Sequence, residues 1–448
     1  MNRKVFPILF VILIIISWLC VFVDGYKTPR EYENYIKNGD QQYENEIYVK
    51  ALEDYNQAIQ IKDSYDLTVK IINCYEKMNE TSVYINACKD AIQKYPHEVD
   101  LYIRLLDYYL NCEETQKFIS YVKEAKLLFP ENKDIDNYYI QAKKIFLVQG
   151  TNFYEVYPCF GRQYTCYSKK REYDFENKTE KICDVGTIYS IDGDVYPFEY
   201  AEIYSSDDEQ MFTVKDFENN WFLIDKNGNK IAKNENKKFS SISGFSQDLA
   251  TCVIDSKYYY MNTDMEVSIK AFDYASLFSE DLAAVMKNNK WAIISKDLSD
   301  ENGYLYDDIV LNSKNQCCIN GRIIVNLKGK YYILNQTGEK ITENSYDYIK
   351  AFESEQPTAY KENNKWGFLT ADGEKYIKPS FDDAKPFCNG YAPVKIGEKW
   401  GIIDLEGNII VVPQYYDIQL VHENGEVFIK EDNDENWKVL YLGILYYN

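Results

Sequence analysis

The sequence predicts an α+β multidomain chain in three parts: an apolar membrane-spanning helix, an array of α-hairpins, and an all-β domain of repeated units. Three observations predict it. Val5 to Val23 is apolar and uncharged, a helical period governs residues 28–150, and from about residue 188 one small motif recurs with drift to the C-terminus. The best-preserved copy, Ala392–Ile418, holds an apolar run, a Trp400-Gly401 strand, a turn from Asp404 to Gly407, a second apolar strand, Pro413 and a Tyr416-Asp417 step.

At 448 residues, 46% hydrophobic and 27% charged, the chain can form two or three cores. The net charge of −21 comes from 71 acidic against 50 basic residues, with no basic run to neutralise phosphates, so nucleic acid is excluded as a partner. The acidity reads as solubility and repulsion from anionic surfaces. His97 and His422 are the only histidines, which leaves no ligand set for a His-based metal centre or triad. The 11 cysteines show no C-x-x-C pair. Cys74, Cys88 and Cys112 fall in predicted helices, where Cys acts as a small buried hydrophobe. No catalytic, cofactor-binding or metal-ligating residue is expected.

The apolar segment 5–23 would span about 28 Å as a helix, close to one hydrocarbon core. Arg3 and Lys4 before it favour a cytoplasmic N-terminus with the rest exported, although Lys27 and Arg30 after it weaken the asymmetry. Residues 1–27 are thus a cytoplasmic tip and signal-anchor. The alternative is secretion after signal cleavage, with Val23 and Gly25 at the cleavage site.

In residues 28–150, Tyr43, Ile47, Ala51, Tyr55, Ala58 and Ile61 recur at three- and four-residue steps. Ala58, Ala91 and Ala125 are spaced by 33 and 34 residues, and Pro96 and Pro130 end their helices. A last helix over about 133–147 would cover the open end. With Gly39, Ala51, Tyr55 and Ala58 as its small-residue signature, this stretch resembles a tetratricopeptide array of about three degenerate repeats. The resemblance implies a surface for peptides or proteins.

Residues 151–448 form the β domain. Seven aromatics align at one place in the motif: Trp221, Tyr258, Trp291, Tyr331, Trp366, Trp400 and Trp437, at steps of 37, 33, 40, 35, 34 and 37. Each unit reads as short strands joined by tight turns such as Asp225–Gly228 and Asp404–Gly407, where Gly supplies positive φ and Asp supports the turn. A Pro and a Tyr-Asp or Phe-Asp step close it, as at Tyr306-Asp307, Tyr346-Asp347, Phe381-Asp382 and Tyr416-Asp417. This pattern resembles the WG-repeat family, named for the Trp-Gly pair that Trp366-Gly367 and Trp400-Gly401 keep intact. The resemblance implies a bacterial β-repeat protein with binding roles and no known activity.

A unit of about 35 residues cannot bury its apolar face alone, so neighbours stack. A β-propeller of about seven blades is expected: six complete units, with one more blade made from the incomplete ends at 188–203 and 427–442. An open β-solenoid is the rival.

The functional expectation is a membrane-anchored, exported, non-enzymatic scaffold that binds proteins or peptides. A cell-envelope carbohydrate-binding or glycan-processing propeller is the alternative, with carbohydrate as its ligand. Asp207-Asp208-Glu209, Asp307-Asp308 and Asp382-Asp383 are the neighbouring carboxylates such an enzyme would draw on, and nothing in the sequence sets their separation. Aromatics clustered at a ring mouth would favour glycan; aromatics buried between blades would favour the scaffold. A binding site should lie where copies differ, as in the long 291–331 step.

Overall fold

A computed structural model describes residues 29–160, 163–174, 178–190, 195–233, 239–299, 303–433 and 436–447. The expected anchor at residues 5–23 lies outside them. Among the described residues no helix is long and apolar enough to cross a membrane. The chain divides into two compact units between Ala142 and Lys143.

The first unit is a run of helices: α1 (29–44), α2 (Tyr48–Ile61), α3 (Tyr65–Lys77), α4 (Thr81–Lys94), α5 (Val99–Asn111), α6 (Thr115–Leu128) and α7 (Lys133–Lys143). Neighbours from α2 to α6 pack in sequence. Each buries a stripe at helical spacing, such as Leu101, Tyr102, Leu105, Leu106 and Tyr109 of α5. Small residues set the approach. Ala51, Ala58, Ala91 and Ala125 are buried, and a Cβ on Gly39 would lie 2.5 Å from the Tyr55 ring. Ser64 caps α3, and Asn132 caps α7 by accepting from the Asp134 and Ile135 amides. Helices α4 and α6 stop before Pro96 and Pro130 as expected, whereas Cys112 is exposed at the C-cap of α5 and is not a core residue.

The second unit is a β-propeller of eight blades. Blade 1 holds Phe153–Pro158, Gln163–Asp174 and Thr179–Ser190; blade 2 holds Glu202–Ser205, Met211–Lys215, Trp221–Asp225 and Lys230–Lys233. Blades 3 and 4 are built on Ser241–Ile242, Ala250–Ile254 and Lys257–Met261, then on Tyr274–Ala275, Leu282–Lys287 and Lys290–Ser295. Blade 5 has Asp308–Val310, Cys318–Ile319, Arg322–Leu327 and Lys330–Leu334. Blade 6 comprises Tyr348–Ile349, Thr358–Glu362, Lys365–Leu369 and Lys375–Phe381; blade 7, Asp383–Ala384, Tyr391–Ile396, Lys399–Asp404 and Ile409–Tyr415. Blade 8 joins Asp417–Ile418, Glu426–Lys430 and Lys438–Leu442 to Phe146–Gly150 from the start of the unit.

That last pairing closes the ring and removes the solenoid alternative. Phe146 to Gly150 run antiparallel to Leu442 to Lys438, so the first strand completes the last sheet and covers its edge. Blades 8 and 1 then share one core, with Phe428, Trp437 and Tyr441 against Phe153, Tyr164 and Tyr189. The helical cover expected to reach residue 147 therefore stops at Lys143, and the expected boundary near Gly150 moves back with it.

The expected count of seven is corrected to eight. The segment at 188–203 does not complete blade 8. It is the end of blade 1, where Tyr189 and Gly186 bridge to Val195 and Tyr200, and the start of blade 2. Blade 1 carries no repeat aromatic. Trp400 faces Tyr415 across its blade, and the matching bridge in blade 1 is Gly186 to Tyr200. A Cβ on Gly186 would lie 3.0 Å from the Tyr167 ring, which extends over it from the paired strand. With glycine at the marker position, blade 1 has no tryptophan to align.

Candidate functional site

The repeat-signature residues are packing residues. Trp221, Trp366, Trp400 and Trp437 are buried, while Tyr258, Trp291 and Tyr331 are half-buried, all at or beside the start of a blade's third strand, counting Lys330–Leu334 as third in blade 5 because Cys318–Ile319 is a two-residue addition. Each of the four buried tryptophans has a second-strand lysine over its ring: Lys215 at 5.6 Å, Lys361 at 5.9 Å, Lys395 at 6.0 Å and Lys430 at 5.3 Å, respectively. Gly367 and Gly401 serve a neighbouring backbone. A Cβ on Gly367 would lie 2.7 Å from the Pro379 nitrogen, and one on Gly401 2.8 Å from that of Pro413. Glycine thus admits the bulged fourth strand that carries the Pro. Where Tyr259, Ala292 or Tyr332 follows the aromatic, the fourth strand is reduced to isolated bridges.

The acidic steps are latches. Asp273, Asp307, Asp347 and Asp382 pair with Lys257, Lys290, Lys330 and Lys365, each lysine standing just before its repeat aromatic. The second oxygen of Asp273, Asp307 and Asp382 accepts an amide from the next blade, at Asn288, Lys328 and Gly397. These contacts hold all four carboxyls below the usual carboxylate range. The motif therefore joins blades, and the equivalent step in blade 7 is Tyr415-Tyr416. There Lys399 turns to the Glu431 carbonyl instead. Adjacent Asp382 and Asp383 serve different lysines, Lys365 and Lys350, so they do not act as one carboxylate pair. In the hairpin turns, Asp225 accepts the Asn227 and Asn229 amides, which uses its oxygens within the turn.

One cavity of this unit, of about 580 Å³, gathers residues from several blades. It is lined by Pro158, Glu209, Ser313, Lys314, Glu353 to Gln356, Cys388, Asn389 and Leu420 to Glu423. These belong to the ends and loops between first and second strands of blades 1, 2, 5, 6, 7 and 8. A cavity bordered by six of eight blades lies on the ring axis, at a mouth of the channel. Lys314 comes from 311–317, inside the longest step between repeat aromatics. That loop is drawn inward by Gln316, which donates to Ser246 Oγ and the Phe278 carbonyl, and by Asn315, which accepts from Tyr274.

Glu353 accepts from the Ser313 amide at 2.7 Å and its hydroxyl at 2.8 Å, yet burial still raises its pKa. Burial, with the Lys314 ammonium nearby, holds the His422 imidazole down at about 4, and its ring lies 4.5 Å from that of Tyr164. Burial likewise pushes the Cys388 thiol up to about 12. At neutral pH His422 is a neutral imidazole and Cys388 a protonated thiol.

The helical unit has a smaller cavity of about 280 Å³, walled by Tyr75, Glu76, Tyr84, Arg104, Asp107 and Tyr108, with Arg104 3.3 Å from Glu76.

A family profile described as "WG containing repeat" matches residues 260–291, 366–400 and 400–433. The chain carries WG-containing repeats. Each match starts inside the third strand of one blade and runs through the first and second strands of the next, so the sequence unit straddles two blades. No curated protein matches the chain. Solved structures similar to it include a eukaryotic initiation factor, 11% identical over 65% of this chain and 86% of that one, with a TM-score of 0.39. The Dos1 propeller is 11% identical over 66% and 94%, with a TM-score of 0.37. The Cps50 (Swd1) β-propeller domain of Myceliophteria thermophila is 8% identical over 66% and 99%, with a TM-score of 0.33. At those scores the fold rests on the strand pairing above.

Proposed function

We propose that this protein is a membrane-anchored, exported, non-enzymatic scaffold that binds proteins or peptides, with the mouth of the WG-repeat propeller as its principal site and the helical unit as a second surface. The observation that carries the reading is the composition of the mouth. The repeated residues are spent on packing and latching, whereas the mouth is built from loops that differ between copies, the long 311–317 loop among them. Variable loops on a rigid repeated frame are where recognition is placed. Most of the described residues lining the mouth are Glu, Ser, Asn, Gln and Lys, beside Pro158, Cys388, Leu420, Val421 and His422, with no Trp, Tyr or Phe among them, which supports a peptide over a stacked sugar. A protonated Cys388 and a neutral His422 in one lining support binding over catalysis.

The anchor at residues 5–23, with Arg3 and Lys4 before it, supports display outside the cytoplasm. Protease treatment of intact cells, followed by crosslinking and recovery of the chain, tests both halves. Digestion of the propeller with a partner crosslinked to it agrees with the reading. A propeller that survives until the cells are lysed contradicts export.

A further inference from the structure

A cavity of about 280 Å³ in the propeller shares Pro158, Ser313 and Lys314 with the mouth, so the two adjoin. Its chemistry comes from blade 3. The corresponding place between blades 6 and 7 is a hollow where Tyr348 and Lys350 come from the first strand, Lys361 from the second, Trp366 from the third and Asp383 from the next blade. Charges govern it: Lys350 lies 4.6 Å from the centre of the Trp366 ring and reaches Asp383 at 2.9 Å. In blade 3, where Ser241 faces Val253 as Tyr348 faces Lys361, the same five positions are Ser241, Ser243, Val253, Tyr258 and, from blade 4, Tyr274. Each of the three charges has been exchanged, for a hydroxyl, an isopropyl group and a ring. Phe160, Ile242 and Leu277 are buried beside them, and the Tyr258 and Tyr274 rings stand 4.9 Å apart. Four hydroxyls of the wall are already spent: Ser205 donates to the Phe160 carbonyl, Ser243 to the Gly244 carbonyl, Tyr204 to Glu202 and Tyr274 to Asn315. With those donors occupied, water gains little there, whereas an apolar ring loses nothing.

We propose that this cavity takes a neutral aromatic side chain of the peptide bound at the mouth. This rests on the peptide-binding reading and names the residue type that anchors the peptide. The size fits: an apolar cavity of about 150 Å³ admits a benzene ring, so about 280 Å³ has room for a phenyl or indole group with its methylene. The rings of the wall favour an aromatic guest over an aliphatic one, through edge-to-face and offset contacts. One large side chain buried in a pre-formed pocket, with polar contacts around its entrance, is the usual arrangement of an interface anchor.

The test uses the full chain in lipid nanodiscs, with empty nanodiscs as the blank, and amidated pentapeptides of glycine and serine whose central residue is tryptophan, leucine or serine. An N-terminal trifluoroacetyl group reports binding by fluorine NMR. The tryptophan peptide should bind about tenfold more tightly than the serine peptide and about threefold more tightly than the leucine peptide. Ser241→Tyr gives blade 3 the ring that Tyr274 and Tyr348 supply at this position in blades 4 and 6, and should weaken the tryptophan peptide about tenfold. Val253→Lys, the residue type of blade 6, should act in the same direction and serves if the first variant does not fold. Tryptophan and serine peptides binding alike, or unchanged tryptophan binding by either folded variant, overturns the assignment. Leucine matching tryptophan overturns the aromatic class. N-acetyl-tryptophanamide competing at the same concentration as the peptide overturns the peptide source, in favour of a small aromatic molecule. If no pentapeptide binds while crosslinking in cells still recovers a partner, the anchor is wrong and the scaffold reading survives; if both fail, the peptide-binding reading falls with it.

Discussion

Gly401 and Gly367 show how a single hydrogen in place of a methyl can decide a blade. The fourth strand of blades 6 and 7 bulges toward the residue after the tryptophan and brings a proline nitrogen within 3 Å of where a Cβ would sit. Gly401→Ala should therefore destabilise the protein by about 1–3 kcal/mol through overpacking. Gly150→Ala, at a position with open space around it, should stay within about 0.5 kcal/mol of the parent. Urea unfolding of the two variants checks the pair, and equal effects would remove the packing explanation. The latch aspartates make a separate prediction at this scale. Asp273, Asp307, Asp347 and Asp382 have folded pKa values below the ordinary carboxylate value. As pH falls, the unfolded chain takes up these protons first, so stability present above about pH 4 is lost through the window below it. Thermal unfolding from pH 7 to pH 3 should show that loss, and Asp347→Asn with Asp382→Asn should flatten it. A variant curve parallel to the parent would assign acid sensitivity to other groups.

Closure depends on one element, Phe146–Gly150. It is a short strand directly after a helix, and its period is too brief to separate from the helical stretch before it, which is why the sequence places those residues at the end of a helical domain. Its role exists only through pairing with residues nearly three hundred positions away, and no local pattern carries that information. The same limit hid blade 1, where Gly186 stands at the marker position and the neighbouring Tyr167 fills the space. By contrast, the aromatic strands, the Asp-to-Gly turns and the Pro before the fourth strand were all legible, because each reports a local requirement of backbone or turn. The acidic step was legible as a motif and opaque as a latch, and in blade 7 it was read one residue late, at Tyr416-Asp417 instead of Tyr415-Tyr416. Leu147→Pro tests the closure. Proline there removes a ladder hydrogen bond opposite Tyr441 and should lower the unfolding midpoint strongly. Hydrogen exchange should show Lys438–Leu442 losing protection before blades 4 and 5. Uniform loss around the ring would mean that closure is not its weak point.

At the scale of the whole molecule, the net charge of −21 is unevenly used. Many acidic groups are consumed by latches and turns, while Glu209, Glu353, Glu355 and Glu423 are gathered at a mouth that also holds Lys314. Of the candidate site, the sequence reading anticipated only the place, the long 291–331 step. It could not anticipate the company, since Lys314, Glu353, Cys388 and His422 come from four blades and meet only once the ring is closed. The central claim is that recognition occurs at this mouth and not along the outer edges of the blades, where Ile269 and Val412 stand exposed. Site-specific photocrosslinking in intact cells tests it most directly, with the crosslinker at Glu355 in the mouth or at Ile269 on the rim. Capture of the same protein partner from Glu355, and its absence from Ile269, is the predicted result. Capture from Ile269 alone would move the binding surface to the blade edges and contradict the account.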